Sequence, residues 1–520
     1  MFRHAPEVTT VGRLWQACRE AVRSGSPFEL LLAAARLECA CADGGAETGG
    51  RLIELSLLAA RYFLGQQPRP SAAELWGLEA HLPLATAAVQ LSAFEGIRFY
   101  ALSPAGYAEA ARRWRREQAQ ANAAAWVIGL RSMGSVLAPV VAAALETRDC
   151  RTRCLTLRPS GAPDQRQLQV ESSLQVAMQR WRGEFLIVDE GPGLSGSSFA
   201  GTVAALRGIG IAPQRIALLP SWTPEPSRLS NAYAAQNWAS WRVYAAAGLA
   251  VPGEDAQDAS GGKWRQILGT HECEPVWPQH ERRKFLCGRG RVLLKFGGFG
   301  RYGHATRERA AELARRGWGP ALAPQSGDAG EGWISYRRIP AAPLVRPGAA
   351  WCEFAGRYLA FVAQAYRRQD SVPPSPELQE MVSANLEQAQ EPPEGPVAAL
   401  DGRMLPCEWG ETARGYVKFD GTDHGDDPFF PGPADIAWDL AAVAVEFGKA
   451  RGRAVLDAYC RASGETHRAL APRLVWHGRA YTAFRAGYCE LAAAQTTSPD
   501  RERFTQQALR YRRHAATWDR

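Results

Sequence analysis

The sequence predicts an α/β protein with two dissimilar domains: a parallel-sheet domain preceded by a helical region, and a second α+β domain. Three observations lead to this prediction. Strand-like and helix-like runs alternate between residues 124 and 222, which favours parallel strands joined by helices. Residues 1–94 carry apolar side chains at three- and four-residue spacing. A strand, a glycine turn and a helix are again indicated at 291–317, and the residues after them are mostly helical in pattern.

The bulk composition is that of an ordinary globular protein. The chain has 520 residues, of which 46% are hydrophobic and 22% charged, and roughly 100–200 residues per domain suggests two to four domains. The net charge of +8 comes from scattered basic residues, so we expect no nucleic-acid partner. The oligomeric state has no sequence signal.

The cysteines and the apolar runs bear on location. The 11 cysteines contain no C-x-x-C pair, which is typical of free thiols in a reducing compartment. No apolar signal core follows the first residues, and the longest apolar runs are too short for a membrane span. We therefore predict a cytoplasmic protein with no membrane partner.

The elements are predicted in order along the chain. FELLLAAARLECA and RLIELSLLAARYFL are helices of the N-terminal region, 1–94. A short strand then precedes a helix that begins at Ser103-Pro104. AAWVIGL (124–130) is a buried strand, and SVLAPVVAAALE is a helix whose proline lies near its start.

Three further strands complete the predicted parallel-sheet domain, 95–245. They are TRCLTLRP (152–159), RGEFLIVD (182–189) and QRIALLPSW (214–222), with the helix FAGTVAALRGIG before the last. WASWRVYAAAGLA is predicted to be helical. The Gly- and Asp-rich stretch after it predicts a linker over 246–280, and the second domain then covers 281–520.

One stretch of this domain, FLIVDEGPGLSGSSF (185–199), spells G-x-G-x-x-G. A dinucleotide loop would place the first glycine directly after the strand, with a carboxylate about twenty residues on. Here Asp189 and Glu190 follow the strand instead, and the next strand ends without a carboxylate. A P-loop would need a lysine, which this loop lacks.

A phosphoribose suits the stretch better. The two carboxylates can hold ribose hydroxyls, directly or through Mg²⁺. The loop amides and the hydroxyls of Ser195, Ser197 and Ser198 can bind a 5′-phosphate at the start of a helix. Another phosphate ligand and a purely structural turn stay open as alternatives.

The stretch resembles the PRPP-binding motif of type I phosphoribosyltransferases, although its loop is about one residue longer and serines replace the usual threonines. The resemblance extends over about 95–222. It implies PRPP as substrate and Mg²⁺ as cofactor, with Asp189 and Glu190 as catalytic residues and Asp189 at the metal. The implied PRPP-binding loop residues are Gly191, Gly193, Ser195, Gly196, Ser197 and Ser198.

Two upstream segments extend this resemblance. GLRSMGSVLAPVV (129–141) is similar to the family's pyrophosphate loop, which implies PRPP contacts from Arg131, Ser132 and Gly134. LRPSGAPDQRQ (157–167) corresponds to a flexible loop over the site, where Arg158 and Arg166 would be catalytic cations for the leaving pyrophosphate. No pattern in the sequence identifies the acceptor of the phosphoribosyl group.

The second domain contains a conspicuous lysine. The chain has only five lysines, and Lys295 lies near the end of RVLLKF. A helix carrying Glu308 and Glu312 follows. A strand lysine paired with a helix glutamate holds ATP phosphates in protein-kinase-like folds, and a surface lysine at a strand end is the alternative.

Residues 399–441 resemble the catalytic segment of the aminoglycoside phosphotransferase and choline kinase family. PADIAWDLA matches the end of that segment with Asp435 and Asp439. The resemblance implies that Asp420 is a metal ligand and that Glu408 replaces a metal-binding Asn. Arg403 stands where the catalytic Asp belongs, and an arginine cannot accept a proton from a substrate hydroxyl.

Two features of this segment leave alternatives open. Asp420, Asp423, Asp426 and Asp427 form a carboxylate cluster that either binds Mg²⁺ or is a solvated loop. The substitution at Arg403 makes a nucleotide-binding, pseudokinase-like domain as plausible an expectation as a kinase, with ATP as the expected ligand.

These observations give one leading hypothesis and two alternatives for the whole chain. The leading hypothesis is a PRPP-dependent phosphoribosyltransferase carrying a kinase-like domain. The alternatives are a non-catalytic regulator that binds PRPP and a nucleotide, and a small-molecule phosphotransferase whose N-terminal half senses PRPP.

Overall fold

The protein is described by a computed structural model, whose chain divides into two compact units. The first, the parallel-sheet unit, comprises residues 6–97 and 101–250, and the second, the C-terminal unit, comprises 98–100 and 251–520. The structure describes residues 7–45, 50–79, 82–118, 123–146, 150–249, 255–268, 274–324, 332–339, 342–344, 347–369, 376–385, 393–422, 429–430 and 432–515.

The parallel-sheet unit begins with a helical region, as predicted. Its elements are β1 (Glu7–Thr10), α1 (Val11–Ser24), α2 (Pro27–Asp43), α3 (Arg51–Phe63), α4 (Ala72–Glu79), β2 (Ala88–Leu91), α5 (Glu95–Arg98) and α6 (Pro104–Glu117). Thr10 and Ser26 cap α1 and α2 by accepting from backbone N–H groups. β1 and β2 form an antiparallel pair.

The central sheet has five parallel strands. Its elements are β3 (Ala123–Leu130), α7 (Met133–Leu145), β4 (Cys150–Leu157), α8 (Ser172–Arg180), β5 (Glu184–Val188), α9 (Ser197–Gly208), β6 (Ile216–Leu219), α10 (Ala232–Asn237) and β7 (Arg242–Val243). The strand order is β4-β3-β5-β6-β7, and the ladder pairs are parallel. The alternation of strands and helices thus gives the predicted parallel sheet.

Helices cover both faces of this sheet. Trp126 and Ile128 of β3 share a core with Phe199 and Val203 of α9. α7 is apolar all round and fully buried, and its Gly134 lies so close to Gly129 that an added side-chain carbon would meet the Gly129 carbonyl carbon at 2.7 Å. A strand enclosed on both faces is expected to be continuously apolar, as β3 and residues 185–188 of β5 are.

The connections place a topological switch at β3. The chain leaves β3 for β4 on one side, and its next strand, β5, lies on the other side of β3. Leu130 pairs with Leu157, and Gly129 pairs with Val188, so the carboxyl ends of the three strands lie level. Ligands of open parallel sheets bind in the crevice at such a switch point.

Two local predictions were wrong in this unit. The residues predicted as a short strand before Ser103 contain the helix α5. The predicted helix at 238–250 is a short 3₁₀ turn followed by β7. The physical reason is tertiary: the Tyr244 and Ala246 N–H groups donate to the Leu218 and Pro220 carbonyl oxygens, so this segment lies along β6.

The C-terminal unit starts with a four-stranded antiparallel sheet. Its elements are β8 (Gln257–Asp258), α11 (Trp264–Leu268), β9 (Lys284–Cys287), β10 (Val292–Phe296), α12 (Gly300–Arg315) and β11 (Trp333–Arg337), in the order β11-β10-β9-β8. The segment predicted as a linker, 246–280, therefore contributes β8 to this sheet and also contains α11.

The rest of the C-terminal unit is mainly helical. It contains β12 (Ala342–Pro343), α13 (Ala349–Ala365), β13 (Arg367–Arg368), α14 (Pro376–Asn385), β14 (Val397–Ala398), β15 (Trp409–Thr412), β16 (Gly415–Lys418), β17 (Ala434–Asp435), α15 (Ala437–Phe447), α16 (Lys449–Ser463), α17 (His467–Gln495) and α18 (Asp500–Ala515). Trp351, Trp438 and Tyr481 lie in its core. Within the described part of the chain, no helix is long and apolar enough for a membrane span.

Candidate functional sites

The C-terminal unit contains a cavity of about 310 Å³, which is within the size range of small-molecule sites. Strands β9, β10 and β11, helix α12 and the segment after β16 form its walls. Most of its lining is apolar. The lining residues are Ala259, Trp264, Leu268, Lys284, Leu286, Leu293, Lys295, Ala310, Leu313, Gly319, Pro320, Tyr336, Arg337, Arg338, Ile339, Lys418, Phe419, Asp420, Gly421 and Thr422.

An ion pair lies at one wall of this cavity. Lys295 is buried on β10, and its ammonium donates a hydrogen bond to the Asp420 carboxylate. Asp420 follows β16 with φ at +58°, a left-handed conformation that is uncommon outside glycine. A strained residue at a cavity wall is a functional-site signal. Lys295 and Asp420, two of the four residues predicted to bind a nucleotide, are therefore brought together.

A second lysine lies beside this pair. Lys418 is 1% exposed, and its Nζ lies 3.0 Å from Glu408 Oε2 and 3.2 Å from Asp401 Oδ2. The Tyr358 hydroxyl donates to the same Asp401 oxygen at 2.6 Å. Burial opposes the charge on Lys418, but the carboxylates of Asp401 and Glu408 outweigh it and raise the lysine pKa. Lys418 is therefore a buried cation.

The two aspartates of PADIAWDLA have structural roles. Asp439 accepts hydrogen bonds from the backbone N–H groups of Asp401, at 3.2 Å, and Gly402, at 3.0 Å. Asp435 forms a two-pronged ion pair with Arg473, with both N–O distances 2.6 Å. Burial and the nearby Asp401 raise the pKa of Asp439 to about 8. These contacts fix the segment that begins at Asp401.

Between residues 401 and 408, no carboxylate is accessible for proton transfer. Asp401 is fully buried and Glu408 is 7% exposed. Arg403 lies with its Nε 3.7 Å from Glu408 Oε1. Arg403, which the resemblance aligns with the catalytic Asp, is thus beside a buried acid, and a base must reach the proton that it accepts.

One predicted partner of Lys295 is wrong. Glu308 is exposed on α12, and Lys295 pairs with Asp420 instead. Glu312 is one turn further along and pairs with Arg315 and Arg316. Helix α12 turns Arg309 toward the interior of the unit, where its guanidinium donates to the carbonyl oxygens of Ala399, Leu400 and Gly421. Asp423, Asp426 and Asp427 lie outside the described residues.

Two of the predicted Mg²⁺ ligands in this unit, Glu408 and Asp420, already have cationic partners. Glu408 is bonded to the Lys418 ammonium and Asp420 to the Lys295 ammonium. A divalent cation would have to share each of these carboxylates with an ammonium group. Among the described residues, no group of three or more His, Cys, Asp or Glu side chains is arranged to hold a metal.

The parallel-sheet unit has its own acidic pair at the carboxyl end of β5. Asp189 Oδ1 accepts from the Glu190 N–H at 2.8 Å, and the Tyr107 hydroxyl donates to the Asp189 carbonyl at 2.8 Å. Burial raises the pKa of Asp189 to about 7. Burial, Glu95 and Asp189 raise the pKa of Glu190 well above its ordinary value. This pair therefore holds at least one proton near neutral pH.

Two arginines converge at the ends of the neighbouring strands. Arg131 follows β3 and Arg158 follows β4, and both contact Asp43 of α2, at Nε distances of 3.1 and 2.7 Å. Ser132 has φ at +94°, and its hydroxyl donates to the Ala93 carbonyl at 2.8 Å. The arginines predicted to bind pyrophosphate are thus brought together, with a carboxylate between them.

The serines predicted to bind phosphate contact another loop. The Ser195 and Ser197 hydroxyls donate to the Pro163 carbonyl at 2.9 and 2.7 Å. Gly193 and Gly196 have φ of +61° and +70°, and Gly196 lies directly before α9. Segment 157–167 therefore contacts the serine loop in this structure.

The other residues predicted to bind PRPP in this unit lie in the loop, in helix α9 and against the sheet. Arg166 donates to the Pro159 carbonyl at 3.1 Å, within the same loop. Gly191 is followed by Pro192, and Ser198 lies in the first turn of α9. Gly134 provides close packing of α7 on β3, so its required contact is with the sheet.

Sequence reasoning missed several residues at both sites. Asp43 and Tyr107 belong to helices that are far from the motifs in sequence. Asp401 lies two residues before Arg403, the residue that the resemblance aligns with the catalytic Asp. Lys418 carried a usable signal, because lysine is scarce in this chain and this one stands two residues before Asp420.

Comparison with solved structures found choline kinases and antibiotic phosphotransferases. A choline/ethanolamine kinase family protein from Mesorhizobium loti is 19% identical, covers 46% of this chain and 89% of its own, and has a TM-score of 0.32. Macrolide 2′-phosphotransferase MphH from Brachybacterium faecium is 16% identical over 52% of this chain and 94% of its own, with a TM-score of 0.29.

The choline kinase LicA from Streptococcus pneumoniae is 12% identical over 45% of this chain and 90% of its own, with a TM-score of 0.30. A scan of protein-family models and a search of curated proteins gave no match. At these TM-scores, an assignment of function depends on the side chains of the sites.

Proposed function

We propose that the C-terminal unit binds a nucleotide in its cavity, as a kinase-like module. The observation that carries this proposal is the Lys295–Asp420 ion pair at the wall of an apolar cavity of about 310 Å³. Apolar walls suit a flat base, and an ammonium suits a phosphate group. A small number of placed polar groups in an apolar pocket is the usual composition of such a site.

The individual walls support this assignment. Leu286, Leu293 and Tyr336 come from three neighbouring strands and give the cavity an apolar side. Lys295 and Asp420 give it a charged side. A ligand with an apolar, planar part and an anionic part therefore matches both, and a nucleotide has this combination.

Phosphoryl transfer with an acidic general base does not follow from this site. Arg403 replaces the expected base, and Asp401 is fully buried. The proposed activity is therefore nucleotide binding, with small-molecule phosphotransfer either absent or slow compared with a kinase that has its base.

Calorimetric titration with ATP and ADP tests the proposal. We expect binding to the wild type and at least a tenfold loss of affinity in Lys295→Ala. Lys449→Ala, at an exposed lysine on α16, is the matched control and should bind as the wild type does. Absence of heat and of a shift in melting temperature at millimolar nucleotide would reject nucleotide binding.

A second candidate function concerns the parallel-sheet unit, which we propose binds a phosphoribosyl compound such as PRPP. The observation that favours it is the position of Asp189, Glu190, Arg131 and Arg158 directly after the level carboxyl ends of β5, β3 and β4, at the switch point of the sheet. Carboxyl groups can hold ribose hydroxyls, and guanidinium groups can bind phosphates. Transfer to a nitrogen base would make this unit a phosphoribosyltransferase.

Titration with PRPP and Mg²⁺ tests this second function. Binding that Asp189→Asn weakens at least tenfold, and that Glu225→Gln at an exposed site leaves unchanged, would support it. Pyrophosphate release with a nitrogen base would then separate an enzyme from a sensor. If PRPP gives no heat in the wild type, the phosphoribosyl assignment fails.

A further inference from the structure

We infer that the Lys295 and Lys418 ammonium groups replace divalent cations in the C-terminal unit, so that its cavity takes a nucleotide without Mg²⁺. This inference rests on the proposed nucleotide binding. It departs from the expected cofactor, because Asp420 and Glu408 are the two positions at which the sequence resemblance implies metal ligands. Each of them is bonded to an ammonium group.

The Lys418 ammonium group is held in place by its hydrogen-bond acceptors. Lys418 Nζ has three oxygen neighbours, at 3.0 Å from Glu408, 3.2 Å from Asp401 and 2.8 Å from the Phe419 carbonyl. An ammonium group has three protons to donate, so these three oxygens match its capacity. The lysine is 1% exposed, and displacing it would leave a buried charge without its partners, which is costly.

Each of three carboxylates in this cluster has a cationic neighbour. Asp401 and Glu408 contact Lys418, Asp420 contacts Lys295, and Arg403 lies beside Glu408. Mg²⁺ sites are built from oxygen ligands that are open to the ion. A divalent cation at Glu408 or Asp420 would have to share its oxygen ligands with an ammonium group.

The same arrangement gives phosphate a partner. Lys295 and Lys418 both line the cavity. Because the Lys418 protons are already donated to protein oxygens, a phosphate group that enters the cavity meets the Lys295 ammonium group and gains from the Lys418 charge at longer range. The expected ligand class is a nucleoside phosphate in its metal-free form. Mg²⁺ in solution would then compete for the ligand rather than assist its binding.

Manganese binding to the full chain tests the metal half of the inference without any nucleotide. Free Mn²⁺ is measured by electron paramagnetic resonance during titration of the wild type, Glu408→Gln, Asp420→Asn and the exposed-site control Glu411→Gln. We expect either no bound Mn²⁺, or bound Mn²⁺ that all three variants retain. A bound ion that is lost in Glu408→Gln or Asp420→Asn, but kept in Glu411→Gln, would overturn the inference.

Nucleotide titrations with EDTA and with Mg²⁺ test the other half. We expect the dissociation constant for ADP with excess Mg²⁺ to be equal to or weaker than that with EDTA, within about threefold. A tenfold or greater gain with Mg²⁺ that Glu408→Gln abolishes would overturn the inference. If no nucleotide binds in either buffer, the proposed nucleotide binding is rejected, and the Mn²⁺ titration alone decides whether the lysines exclude the metal.

Discussion

The acidic motifs of the two units have different neighbours. In the C-terminal unit, Asp420 and Glu408 each bond to a lysine ammonium. In the parallel-sheet unit, Asp189 and Glu190 have no ion-pair partner within the described residues, and burial raises the pKa of each. The first two carboxylates therefore have cationic partners, whereas burial disfavours the charged form of the second two.

The difference shows that an acidic motif has no fixed chemistry of its own. A carboxylate bonded to a buried cation is a neutralised group, so its attraction for a metal ion is weakened. A carboxyl group with a raised pKa can both donate and accept hydrogen bonds, as ribose hydroxyls require. The neighbours contributed by the fold decide which of these two behaviours appears.

The largest expected effect comes from removing the buried cation. Lys418→Met leaves Asp401 and Glu408 buried without their ammonium, so we expect a loss of about 3–5 kcal/mol in the free energy of unfolding. Urea denaturation followed by tryptophan fluorescence measures it. Lys263→Met, at an exposed ion pair, should change stability by less than about 1 kcal/mol. Equal losses in both variants would contradict the contrast between the sites.

A smaller effect is expected from the acceptor that holds Asp401. Asp439→Ala leaves the N–H groups of Asp401 and Gly402 buried without an acceptor, at a cost of about 2–4 kcal/mol. Asp439→Asn keeps one carbonyl oxygen in place and should lose less. The same denaturation measurement compares the two, and a larger loss in the Asn variant would show that charge matters more than the backbone contacts.

The acidic pair of the parallel-sheet unit should show the opposite pH dependence from a salt-bridged carboxylate. Because the pKa of Asp189 is raised to about 7, the native state holds a proton that the unfolded chain releases above about pH 4. Stability contributed by this group is complete below that pH and falls as pH rises toward 7. Relative to wild type, Asp189→Asn should gain about 4 kcal/mol between pH 4 and pH 8, because each unit between the unfolded and the native pKa contributes about 1.4 kcal/mol.

Melting temperatures measured from pH 4 to pH 8 check this sign. Asn can keep the hydrogen bond from the Glu190 N–H through its side-chain oxygen, so the variant changes the titration and preserves the contact. Glu225→Gln, at an exposed site, serves as the control. Parallel wild-type and Asp189→Asn curves would show that Asp189 has an ordinary pKa.

The smallest effect is expected at the serine loop. Ser197→Ala removes one hydroxyl that donates to the Pro163 carbonyl, which should cost about 1 kcal/mol. Ser198→Ala is the neighbouring control and should cost less. Faster proteolysis within 159–167 in Ser197→Ala, relative to the control, would show that the serine holds this loop.

Much of the fold could be predicted from local sequence patterns. The run AAWVIGL became β3, and the alternation after it became the five-stranded parallel sheet. Two of the failures share one cause: the segment 242–246 and strand β8 are short, and they pair through backbone hydrogen bonds with neighbouring strands. A pattern of side chains carries no signal for such pairing.

The site residues stay predictions. Lys295, Asp420, Asp189 and Glu190 were singled out because each follows or ends a recognisable strand. Glu308 was predicted to pair with Lys295 from spacing on a helix, but α12 presents it to solvent. Spacing predicts which residues share a face, whereas the packing of the helix decides which face turns inward.

The sequence by itself determined the strands, their parallel pairing and the positions of the acidic motifs, because these follow from hydrophobic periodicity and from strand-to-loop transitions. Only the tertiary structure decided which ion-pair partners and how much burial those motifs have. Asp43 lies 115 residues before Arg158, and Lys295 lies 125 residues before Asp420. Coulombic partners and burial depend on distance in space, and a single sequence does not contain that distance.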